Sequence, residues 1–61
     1  MNIRERREEL NISQADLAER VGITPSAMCL YESGKRTPKV SVAIKIAKAL
    51  NCTVDELVKE Q

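Results

Sequence analysis

The sequence predicts an all-α domain built from five short helices. Three observations point there. Apolar residues recur three and four positions apart through most of the chain. Helix start and stop signals alternate along it. No segment alternates with period two strongly enough to make a strand.

The elements follow in order. Residues 2–10 place Ile3, Arg7 and Leu10 on one stripe. Ser13 is an N-cap candidate with Asp16 three residues on, a variant of the capping box. The second helix that it starts shows Leu17, Ala18 and Val21 on one face and stops at Gly22, where a left-handed residue is cheap only for glycine. Thr24-Pro25 starts the third helix with a hydroxyl cap followed by proline at the first helical position. Met28 and Tyr31 share one face of this helix, and Ser33-Gly34 ends it. Thr37-Pro38 turns into a fourth helix whose apolar face reads Val40, Ala43, Ile44, Ala47 and Leu50, with Ile46 beside it. Thr53 with Glu56 is a full capping box for a short fifth helix, in which Leu57 packs inward and leaves Val54 and Val58 exposed.

Composition bounds what such a chain does. At 61 residues it is one domain, 1–61. A domain of this size buries only about 60% of its unfolded surface, so its helices must pack regularly. The single aromatic, Tyr31, implies an aliphatic core. Cys29 and Cys52 are the only cysteines and histidine is absent. Two thiols fall short of a zinc site, so neither metal nor cofactor is expected. No apolar run approaches a membrane span and no signal peptide shows, which suggests a cytoplasmic protein with reduced thiols. An enzyme is not expected: there is no histidine, no glycine-rich phosphate loop and no carboxylate dyad at a suggestive spacing.

Net charge is only +1, but its distribution is uneven. All nine acids lie in residues 5–32 and 55–60. Between Ser33 and Val54 stand Lys35, Arg36, Lys39, Lys45 and Lys48 with no acid among them. One region is therefore strongly positive within a nearly neutral molecule.

The second and third helices are joined only by Gly22-Ile23-Thr24. So short a link forces a sharp angle and a close approach. Ala18 supplies the small residue that the approach needs, and Met28 and Tyr31 fill the gap from the other side. Leu17, Ala18, Gly22, Met28 and Tyr31 together meet the steric requirement of a helix-turn-helix, where any one of them would fit an ordinary helical hairpin.

"SQADLA", "YESGKRTP" and "IAKAL", with Arg7 upstream, resemble the phage-repressor-like helix-turn-helix family (Cro/cI-type, or xenobiotic-response-element), and the likeness covers nearly the whole chain. It implies a five-helix, lambda-repressor-like fold that binds double-stranded operator DNA, usually as a dimer, with the third helix in the major groove. Pro25, Ser26 and Leu30 match the family's base-facing positions. Ala27 and Cys29 share the face opposite Met28 and Tyr31, which makes these five the candidate base contacts. Where the family often carries glutamine or another long polar residue, this chain offers one hydroxyl and apolar groups suited to thymine methyls.

Candidate phosphate contacts are Ser13 and Gln14 at the start of the second helix, and Ser33, Lys35, Arg36, Thr37 and Lys39 in and after the loop that follows the third. Arg7 and Glu32 match a family pair that bridges the first and third helices, and an ion pair is expected between them. Val54 and Val58 are the candidate dimer contacts. The function implied is a transcriptional regulator, with a repressor favoured, and no small-molecule effector is inferred. The alternative is an antitoxin-like or other protein-interaction module on the same fold.

Overall fold

The computed structural model describes residues 1–58, so the last three residues of the 1–61 domain lie outside the described residues. It contains α1 (Ile3–Glu9), α2 (Gln14–Val21), α3 (Pro25–Glu32), α4 (Val40–Ala49) and α5 (Val54–Val58), with no strand among the described residues.

Each helix contributes one large side chain that is fully enclosed: Ile3, Leu17, Met28, Ile46 and Leu57 in chain order. Ala18, Val21, Ala47 and Leu50 complete one continuous cluster. The core is aliphatic, with Tyr31 half-buried at its edge. Asn2 N–H donates to the Leu57 carbonyl (3.0 Å) and ties the start of α1 to α5.

Three of the connections use one device. Asn11-Ile12-Ser13, Gly22-Ile23-Thr24 and Asn51-Cys52-Thr53 each place a left-handed residue, then an apolar residue, then a hydroxyl. Asn11, Gly22 and Asn51 have φ of 57°, 86° and 56°. The next N–H reaches back five residues: Ile12 to the Arg7 carbonyl, Ile23 to Ala18 and Cys52 to Ala47, at 3.0–3.1 Å. This is the Schellman closure, which satisfies carbonyls left over at a helix end. The apolar residue then packs on the core. The hydroxyl caps the following helix by accepting the N–H of Asp16, Ala27 or Glu56. At Thr53 the box is reciprocal, because the Glu56 carboxylate accepts the Thr53 N–H at 2.9 Å. For Ser13 and Asp16 only the Ser13 half of the box is made.

The end of α3 starts alike and finishes differently. Gly34 is left-handed (φ 80°) and Lys35 N–H reaches the Leu30 carbonyl (3.0 Å). Here a cation stands where the other turns place an apolar residue. Lys35 stays exposed, and the chain leaves the core as a loop that returns at buried Pro38.

Two helix faces differ from the sequence-based expectation. In α4 the buried stripe is Ala43, Ile46, Ala47 and Leu50, so Ile46 is its centre. Val40 (77% exposed) and Ile44 (41%) face outward because no other helix covers that arc. Leu10, expected on the buried stripe of α1, is 42% exposed, because the helix has ended and the chain is already turning at Leu10–Asn11.

A nearly enclosed ion pair crosses the molecule. Arg7 Nε donates to Glu32 Oε2 (2.8 Å) and Nη2 to Oε1 (3.1 Å), joining α1 to α3. Arg7 Nη1 donates to the Ile12 carbonyl (2.9 Å), and Gln14 Nε2 to Glu32 Oε1 (3.3 Å). The two charged side chains are only 12% and 5% exposed. The hydrogen bond to Glu32 raises the Arg7 pKa above its ordinary value against the opposing effect of burial. A cation whose folded pKa is raised contributes its stability at all pH below its unfolded value, and loses it only as pH climbs through the folded one. For arginine that window lies in strong alkali, so the Arg7 charge adds no pH dependence to stability near neutrality.

Two outcomes follow for urea denaturation. Gly22→Ala lowers stability by about 1 kcal/mol through backbone strain alone, since a Cβ there meets nothing within 4 Å, and Gly22→Asn lowers it less. Glu32→Ala costs about 3 kcal/mol because it strands a nearly enclosed guanidinium, whereas the double change Arg7→Met with Glu32→Leu recovers most of that loss. Equal midpoints for wild type and Glu32→Ala would show that the pair holds nothing together.

Candidate nucleic-acid interface

Helices α2 and α3 meet through the tight turn at Gly22, with Ala18 buried at the approach and Met28 enclosed behind α3. Burial of Met28 and half-burial of Tyr31 fix which way α3 faces. Pro25, Ser26 and Cys29 are exposed on the other side, and Ala27 and Leu30 are half-buried beside them. The outward surface of α3 is thus short, with Ser26 its one exposed hydroxyl.

That surface is bounded at both ends by groups suited to phosphate. At one end stands the start of α2. The first helical hydrogen bond there is Leu17 N–H to the Ser13 carbonyl, and the Ser13 hydroxyl takes the Asp16 N–H. The N–H groups of Gln14 and Ala15 precede both, at the positive end of the helix dipole. Gln14 is half-buried, with its amide held by Glu32 rather than free. At the other end lies the loop 33–39. Ser33, Lys35, Arg36, Thr37 and Lys39 are all exposed. The Leu30 carbonyl gathers the loop by accepting from Lys35 N–H, Arg36 N–H and the Ser33 hydroxyl at 3.0–3.2 Å. Neither Lys35, Arg36 nor Lys39 forms an ion pair among the described residues.

Between the two ends is a recess of about 390 Å³ lined by Arg4, Arg7, Gln14, Cys29, Glu32 and Ser33. Arg7 and Glu32 neutralise each other at its wall. Arg4, absent from the residues expected at the site, adds a positive charge at the rim and pairs with exposed Glu8 among the described residues. Its place three residues before Arg7 on α1 is the signal that would have found it.

The remaining candidates are spread elsewhere. Cys29 opens onto the recess, whereas Cys52 is half-buried and its thiol pKa is raised, chiefly by burial, with Arg6 opposing. Cys52 is therefore a packed, protonated thiol near neutral pH. Val58 is 50% exposed on α5, but Val54, expected to be exposed beside it, is half-buried against the core. Among the described residues no cluster of side chains suits a metal ion, and no helix is long and apolar enough to cross a membrane.

Known proteins share this arrangement. A helix-turn-helix family model, HTH_3, matches residues 3–57. An uncharacterized HTH-type transcriptional regulator of Methanothermobacter thermautotrophicus is 46% identical over 48 residues, 79% of this chain and 70% of that protein. The cryptic phage CTXphi transcriptional repressor RstR of Vibrio cholerae is 39% identical over 61 residues, 93% of this chain and 54% of RstR, so the chain spans about half of that relative. The P22 c2 repressor, in a crystal structure with a synthetic operator, superposes with a TM-score of 0.90 at 36% identity, covering 97% of this chain and 89% of that one. With its five helices, its turn at Gly22 and its family match across residues 3–57, the chain belongs to the XRE/cI-type helix-turn-helix family of transcriptional regulators and has the lambda-repressor-like fold.

Proposed function

We propose that this chain binds operator DNA site-specifically as a homodimer, with α3 in the major groove, and acts as a repressor. The observation that carries the reading is the order of groups along one surface: the leading N–H groups of α2, the outward face of α3, then an exposed loop whose cations form no ion pair among the described residues. Groups at both ends grip phosphates and set register, while the helix between them meets base edges. The P22 c2 repressor, which superposes on nearly the whole chain, is seen with a synthetic operator.

In this reading Ser13, Gln14, Ser33, Lys35, Arg36, Thr37 and Lys39 contact phosphate. Ser26 hydrogen-bonds a base edge. Pro25, Ala27, Cys29 and Leu30 make apolar contacts, best suited to thymine methyls. Readout through one hydroxyl and a few methyl contacts is thin, so DNA shape and half-site spacing supply part of the specificity. Dimerisation places two such surfaces about 34 Å apart along one face of the duplex. Val58 is the exposed apolar group on α5 available to that contact, with Val54 supporting it from the core side.

Two measurements test the parts separately. Reversing Lys35 and Arg36 to glutamate abolishes binding at moderate salt, and single changes to alanine each reduce the slope of log K against log salt by about 1. An unchanged slope would remove the loop from the interface. Random-site selection returns a palindrome with half-sites one helical turn apart, and Ser26→Ala with Leu30→Ala relaxes the preferred bases without changing that spacing. An asymmetric site would sink the dimer, and an unaltered base preference would sink direct readout by α3.

A further inference from the structure

A second concavity, of about 530 Å³, lies between the C-terminal halves of α2 and α4 and shares no residue with the recess described above. Val21 and Ala49 form its floor. Arg20, Lys45 and Lys48 stand on its rim with Glu19. Three cations therefore face one carboxylate. None of the three forms an ion pair among the described residues. Lys45 and Lys48 are three apart on α4, where neighbouring like charges repel. The intramolecular folding of this chain leaves that repulsion standing.

The place of the groove separates it from the DNA-facing loop. Lys39 caps the start of α4 next to that loop. At about 1.5 Å per residue, Lys45 and Lys48 lie roughly 9 and 14 Å further along the helix. The rim offers three exposed cations to an anionic occupant. The apolar floor asks for aliphatic groups as well, which a phosphate backbone lacks.

We propose that this groove docks an acidic, amphipathic segment of a partner protein. Its carboxylates pair with Arg20, Lys45 and Lys48, and an aliphatic side chain seats over Val21 and Ala49. The inference stands on the groove alone and does not depend on how α3 reads DNA.

The test is a ¹⁵N-correlation titration of the full chain with a synthetic peptide carrying glutamates on one helical face and leucines on the other. Amide shifts are expected at Arg20–Gly22 and Lys45–Ala49, with the Ser26 and Lys35 amides unmoved. Lys45→Glu with Lys48→Glu weakens peptide binding by about tenfold or more, while affinity for a short operator duplex stays within about twofold. A peptide of equal charge without leucines binds less well. The proposal is overturned by absent binding, by shifts on the α3 face, by equal binding of the leucine-free peptide, or by reversal variants that hold the peptide as tightly as wild type. It is also overturned if the reversal weakens duplex binding instead, which makes the groove an extension of the nucleic-acid surface.

Discussion

The bidentate contact between Arg7 and Glu32 sets the geometry on which the rest of this small domain depends. Hydrophobic burial is non-directional, and a core of Ile, Leu, Val, Met and Ala would tolerate several rotations of α3 about its own axis. A planar guanidinium that must meet a carboxylate at 2.8 and 3.1 Å does not. Because both groups are nearly enclosed, any rotation that parts them leaves two charges stranded, and the cost of that exceeds what a shifted methyl contact returns. The same carboxylate holds Gln14, and the same guanidinium holds the Ile12 carbonyl. Four segments are thus registered at one point: α1, the turn after it, the start of α2 and the end of α3. These include both helix ends that border the recess.

The second organising device is the repeated turn. A left-handed residue, an apolar residue and a hydroxyl end one helix, anchor the link and start the next within three positions. Such economy suits a chain of 61 residues, in which long loops would subtract from an already limited core. The departure at α3 is informative because it changes one residue class. Lys35 replaces the apolar anchor, so the chain is held by the Leu30 carbonyl instead of the core and stays outside with its cations. The basic loop is exposed as a consequence of turn chemistry.

Much of this was legible in the sequence, for identifiable reasons. Ser13, Gly22, Thr24-Pro25 and Thr53 mark helix ends through local bonds that any context preserves, and the structure makes them. The apolar pattern of α2 was unambiguous since only one arc is apolar. In α4 nearly every position is apolar or small, so periodicity offered two overlapping stripes. Val40–Ile44–Ala47 and Ala43–Ile46–Ala47–Leu50 are both helical spacings, and only the packing partners choose between them. Asn11 and Asn51 were readable as left-handed stops, because asparagine follows glycine in that role. Beyond the spacing of Arg4 from Arg7, no local pattern carries the approach of α1 to the outward side of α3, which brings Arg4 to the recess from a distant part of the chain.

The outward face of α3 shows how a fold and its specificity are decided by different residues. Met28 and Tyr31 orient the helix, Thr24 and Pro25 start it, and Glu32 locks its end. These roles consume half of its eight residues. The positions left over can change without disturbing any of those bonds, so a scaffold of this kind can carry a serine and small apolar groups as readily as glutamines. A thin direct readout is physically compatible with tight binding, because phosphate contacts supply most of the affinity in such interfaces and are set by the loop and the helix ends. In the function proposed above, selectivity then falls to the few groups on α3 together with duplex shape and the spacing between two copies. The recess, where the Cys29 thiol and exposed Arg4 adjoin the locked pair, is a part of the surface with room to add to it.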